Sequence, residues 1–177
     1  MQENETTPAR RRTGGALGRA AMGERLEGFI YGTIVALAVL VAGARAFPQE
    51  AGHIAVLVVA TMVVFWLAHV YAHALGRSVA RDRRLTLVEL RDLARHEWAI
   101  VEAALLPAIP LVLAAFGLVA TSVAVWLALG TGLAVLAAEG LLFARVERLG
   151  WLGTVAVVSA NLSLGALLIA LKLLVAH

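Results

Sequence analysis

Five apolar stretches alternate with short polar or basic segments along this chain. They run over about Leu26–Ala44, His53–Leu75, Trp98–Leu118, Val119–Ala144 and Trp151–Val175. A helix needs roughly 20 apolar residues to cross a hydrocarbon core. In that solvent a helix satisfies each backbone N–H and C=O within its own segment. The pattern therefore predicts an all-α, polytopic bundle of five transmembrane helices, a multi-pass protein of the cell membrane. The third and fourth stretches nearly touch near Gly117–Thr121, which predicts a tight helical hairpin.

The polar segments refine this outline. Residues 1–24 hold Pro8, Gly14, Gly15 and the run Arg10, Arg11, Arg12, and they read as a mobile basic tail ahead of a membrane domain over residues 25–177. The first apolar stretch has span length and no clear cleavage site, unlike a secretory signal peptide. The stretch 78–97 is polar but periodic. Thr86 followed by Glu89 has capping-box spacing, and Leu87, Leu90 and Ala94 share a face. It predicts an amphipathic helix that lies on the membrane or extends the third crossing.

Arginine placement gives an orientation. The tail has Arg19 besides its run of three, with Arg25 directly after it; the second connection has Arg77, Arg81, Arg83, Arg84, Arg91 and Arg95; the fourth has Arg145 and Arg148. The other side offers Arg45 and Lys172. Cytoplasmic loops collect Lys and Arg, so the N-terminus is expected in the cytoplasm. The chain is 61% hydrophobic with a mean hydropathy of +0.86, far above a soluble domain. Its net charge of +3 sits between apolar runs, as a topology signal rather than a nucleic-acid footprint. With no cysteine, disulfides, thiol catalysis and thiolate metal sites are excluded. Nucleophile elbows, P-loops, dinucleotide turns and metalloprotease motifs are missing too, so neither enzymatic activity nor a cofactor is expected.

Candidate chemistry sits within the helices. Gly28, Gly32 and Ala36 form a small-residue stripe that lets helices approach closely, inside one chain or around an oligomer axis. His69 and His73 are one turn apart, a spacing suited to interhelical hydrogen bonding, to proton transfer, or to a metal or haem with further ligands from His96, Glu97 or Glu102. Trp66 and Tyr71 suit an interfacial belt. Pro107 and Pro110 fall inside the third crossing and are expected to kink it. Glu102, Glu139 and Asn161 are the intramembrane polar residues. An intramembrane carboxylate is a candidate site by default, and pairing or snorkelling is the plainer account, with Arg145 the natural neighbour of Glu139. Asn161 is expected to bond to a neighbouring helix.

Arg25, Phe29 and Gly32, then Phe65, Trp66 and His69, then Leu105, Leu106 and Pro107, resemble the endolysosomal potassium channel family called transmembrane protein 175, bacterial type. The resemblance covers roughly residues 25–110. It implies a homo-oligomer, a tetramer in that family, whose first helices line a pore for monovalent cations. Ala36 and Leu40 are then the pore-lining candidates, and Arg25, Phe29, Trp66 and His69 an interhelical network. The chain departs from the pattern: the family's Ser and Asp fall on Ile30 and Tyr31, its second His on Val70 and its pore Ile on Ala36, and bacterial members cross six times. Three readings stand: a cation channel for potassium or protons, or a diverged relative of one; a metal- or haem-binding membrane protein using His69 and His73; and a structural or partner-binding protein whose basic segments attract anionic lipid.

Overall fold

The computed structural model describes the backbone of residues 7–175 and the side chains of residues 22–170 other than Glu24. Among these residues the regular structure is helical: α1 (Thr7–Ala46), α2 (Ala51–Ala80), α3 (Leu87–His96), α4 (Ala99–Ala115), α5 (Thr121–Val146) and α6 (Trp151–Val175). Five stretches are long and apolar enough to cross a membrane: Arg25–Ala46, Ala51–Ala80, Leu87–Ala115, Thr121–Val146 and Trp151–Ala170. Large apolar side chains such as Leu67, Leu105, Trp126, Leu152 and Leu167 are exposed on the outer faces. A surface of that kind suits lipid and is rare on a soluble monomer.

One expectation changes. α1 begins at Thr7, so most of the stretch read as a mobile tail is helix continuous with the first crossing. Its sequence over Ala16–Met22 is rich in good helix formers, which outweighs the cost of Gly14 and Gly15. Residues 1–6 lie outside the described residues.

Local rules place the helix ends. α2, α4 and α5 close on a left-handed residue, respectively Asp82 (φ 48°), Gly117 (φ 75°) and Arg148 (φ 53°). In each the next amide reaches back to the last turn: Arg83 N–H to Ser78 O, Leu118 N–H to Leu113 O, and Leu149 N–H to Ala144 O. These are Schellman closures, which satisfy otherwise orphaned carbonyls. The one at Gly117 makes the expected hairpin between α4 and α5. Thr86 and Glu89 form the expected capping box at the start of α3. A turn at Glu97–Trp98 separates α3 from α4, so the amphipathic helix abuts the crossing without merging into it. α4 continues as helix through Pro107 and Pro110.

The packing puts α1 at the centre, touching α2, α4, α5 and α6. α6 leans mainly on α5 and stays largely exposed. The core joins Leu37 and Leu40 of α1, Ile54, Val58 and Met62 of α2, Ile100 and Leu111 of α4, and Leu129 and Leu136 of α5. α1 and α4 meet most closely at Gly32, where an added Cβ would lie 2.8 Å from Ile100 O and 2.9 Å from Ala103 Cβ. The small-residue stripe therefore serves a contact within one chain.

Candidate functional site

The arginine-rich end of the bundle opens into a cleft of about 730 Å³ between α1, α2 and the α3–α4 turn. Glu27 and Tyr31 of α1, His69 and His73 of α2, and His96 and Glu97 line it. The helical period explains the first four: positions four apart share a face, so each helix offers two side chains to the same space. The α3–α4 turn brings the last two.

The polar contacts are specific. His73 Nδ1 lies 2.5 Å from Glu97 Oε1, joining α2 to the turn. The Glu97 side chain is only 9% exposed, so its carboxylate depends on this partner, while the His73 side chain is 54% exposed to the cleft. His69 packs its ring on Tyr31, centroids 5.2 Å apart, and on His73 at 6.1 Å. Its Nδ1 sits 3.2 Å from Phe65 O in its own helix. A chain of one phenol, two imidazoles and one buried carboxyl thus lines the wall.

The four residues expected to form an interhelical network make separate contacts. Arg25 bonds to Glu102 Oε2 at 2.8 Å, tying α1 to α4 rather than to α2. Glu102 is thereby a paired carboxylate. His69 reaches α1 through Tyr31, the position where the resembled family carries Asp. Trp66 donates Nε1–H to Ala94 O at 2.8 Å and meets Trp98 edge to face, fixing α3 against α2. The Phe29 carbonyl accepts from the Thr33 hydroxyl one turn on, a bond within α1. Asn161 donates Nδ2–H to Leu136 O, linking α6 to α5 as expected.

Two expectations find no support within the single chain. Ala36 and Leu40, the pore-lining candidates, are fully buried in the core of a single chain. Side chains held by their own neighbouring helices do not face an axis shared between copies. The metal reading of His69 and His73 also loses its ligand set. Among the described residues no three His, Cys, Asp or Glu side chains come together to hold a metal. Glu97 occupies the Nδ1 side of His73, and the two rings stand nearly perpendicular.

A second polar feature lies deeper, and Glu139 is its centre. Instead of snorkelling toward Arg145, this side chain turns inward and is 5% exposed. Its Oε1 is 3.0 Å from Thr33 Oγ1 on α1, and its Oε2 has no hydrogen-bond partner among the described residues. Thr33 was not singled out by the sequence. The available signal was that it is the only aliphatic hydroxyl in the first apolar stretch.

No family model, curated protein or solved structure matches this chain.

Proposed function

We propose that this chain is a five-crossing protein of the cell membrane, with a cytoplasmic N-terminus, that conducts a monovalent cation, the proton first. The observation that carries this reading is the His73–Glu97 pair in the arginine-rich cleft. An exposed imidazole against a buried carboxyl lets a proton pass from cleft water to a group inside the bundle. Arginine placement supports a cytoplasmic cleft. The resemblance of the first three crossings to the transmembrane protein 175 family supports a cation as the species handled, and it alone brings in the homo-oligomer. Because Ala36 and Leu40 are interior, the route in this reading runs beside α1 within each bundle.

Liposomes containing the purified chain, a trapped pH dye and an imposed potassium diffusion potential test it. Wild-type protein is expected to acidify or alkalinise the lumen according to the sign of the potential. His73→Ala and Glu97→Gln are each expected to slow this by about a hundredfold, the lower end for losing one positioned proton-transfer group. Lack of proton and potassium flux in the wild type would rule the reading out. Equal flux in all three proteins would move the route away from the cleft.

A further inference from the structure

Counting hydrogens around Thr33 gives a result the cleft does not. Thr33 Oγ1 lies 2.9 Å from Phe29 O and 3.0 Å from Glu139 Oε1. A threonine hydroxyl has one hydrogen and donates it once. A carbonyl oxygen has none, and neither does an ionised carboxylate. Both contacts are full hydrogen bonds together only when the carboxyl is in its acid form. Thr33 O–H then donates to Phe29 O, as threonine in helices commonly does, and the Glu139 O–H donates to Thr33 Oγ1.

The surroundings agree with that assignment. Glu139 is nearly sealed, and no charged side chain among the described residues acts on it. From α1 it meets Thr33. The polar group of α6, Asn161, gives its amide to Leu136 O. The carboxylate of α4, Glu102, is committed to Arg25. An ion here would have one neutral donor, a bare Oε2 and no counter-charge, an arrangement that burial penalises heavily. The acid form leaves only an unpaired carbonyl-type oxygen.

We propose that Glu139 is a proton-binding site inside the bundle, which at rest holds its proton on Thr33 Oγ1 and on losing it releases α5 from α1. The ligand is the proton itself, and the site is a latch between two core helices. Ionisation leaves Thr33 with one hydrogen for two acceptors and puts a charge in the core, so the α1–α5 contact opens or takes in water. This assignment stands independently of the cleft. α1 carries Tyr31 toward the cleft and Thr33 toward α5, so one helix bears both sites on different faces.

Infrared spectroscopy on the full chain in lipid bilayers at neutral pH tests it. The expected spectrum contains a protonated-carboxyl C=O band that is lost in Glu139→Gln and shifts upward in Thr33→Val, where the acid proton loses its acceptor. Thr33→Val keeps the test decisive should Glu139→Gln fail to fold. Melting is expected to fall with rising pH in the wild type and to stay flat in Glu139→Gln, whose amide replaces the acid as donor. Absence of the band in the wild type, its persistence unchanged in both variants, or its disappearance on adding sodium would overturn the assignment, the last by making Glu139 a metal-cation ligand.

Discussion

Gly28 and Gly32 look equivalent in the sequence and are not equivalent in space. A Cβ at Gly28 would rest 3.8 Å from Ala99 and Ile100, whereas one at Gly32 would strike the Ile100 carbonyl oxygen at 2.8 Å. Backbone cannot step aside as a flexible side chain can. Gly28→Ala is therefore expected to leave stability within about 0.5 kcal/mol, and Gly32→Ala to cost about 1–3 kcal/mol by overpacking. Arg25→Ala is expected to cost under about 1 kcal/mol, because its ion pair with Glu102 is half in solvent. Thermal unfolding of the three variants in one detergent ranks them. At this scale the sequence was legible where chemistry repeats at a helical period. The stripe and the His69–His73 pair follow from spacing, and the Asn161 bond from the cost of leaving an amide unpaired in lipid. Which partner each side chain takes does not, since that depends on helix rotation. Arg25 found Glu102, and Glu139 turned toward Thr33, for that reason.

Helix ends are where local physics decides. Of the three left-handed closures, only Gly117 uses the residue that adopts this conformation without steric cost. Arg148 holds φ 53° with a Cβ. Arg148→Gly is expected to stabilise the α5–α6 connection by about 1 kcal/mol, read as a higher melting temperature. The capping box was legible in the sequence because Thr86 and Glu89 are local. The break at Glu97–Trp98 was not, since no proline, glycine or capping pattern marks it, and Glu97 there meets His73 of α2. The connection before α3 is also acid-sensitive. Glu89 bonds to the Arg83 guanidinium and the Thr86 backbone N–H, which together hold its carboxyl down at about 2. A carboxyl lowered on folding contributes its stability above its ordinary range near 4.5 and loses it as pH falls toward about 2. Amide protection at the first turn of α3, taken relative to the intrinsic exchange rate at each pH, is expected to fall over that window and to be constant above it. Glu89→Gln is expected to show the reduced protection at all pH values.

For the whole molecule, the apolar pattern specified the number and order of membrane-length helices because lipid imposes one length and one backbone solution on each. It did not specify which helix sits inside. α1 is central because Gly32 admits α4, Leu37 fits against Gly132 of α5, and Thr33 offers the only partner for Glu139 among the described residues. That centrality is what moved Ala36 and Leu40 from a supposed shared axis into the core. The arginine-rich end gathers the cleft, the aromatic pair Trp66–Trp98 and the exposed Trp151, the composition of a membrane–water boundary. That the bundle crosses five times with this cleft at the cytoplasmic face is tested most directly by substituted-cysteine labelling, which is clean because the chain has no cysteine of its own. Gln49→Cys and Leu118→Cys are expected to react with a membrane-impermeant maleimide on intact cells. Ser78→Cys and Glu147→Cys are expected to react only after the membrane is opened. The opposite pattern, or labelling of all four sites on intact cells, would contradict it.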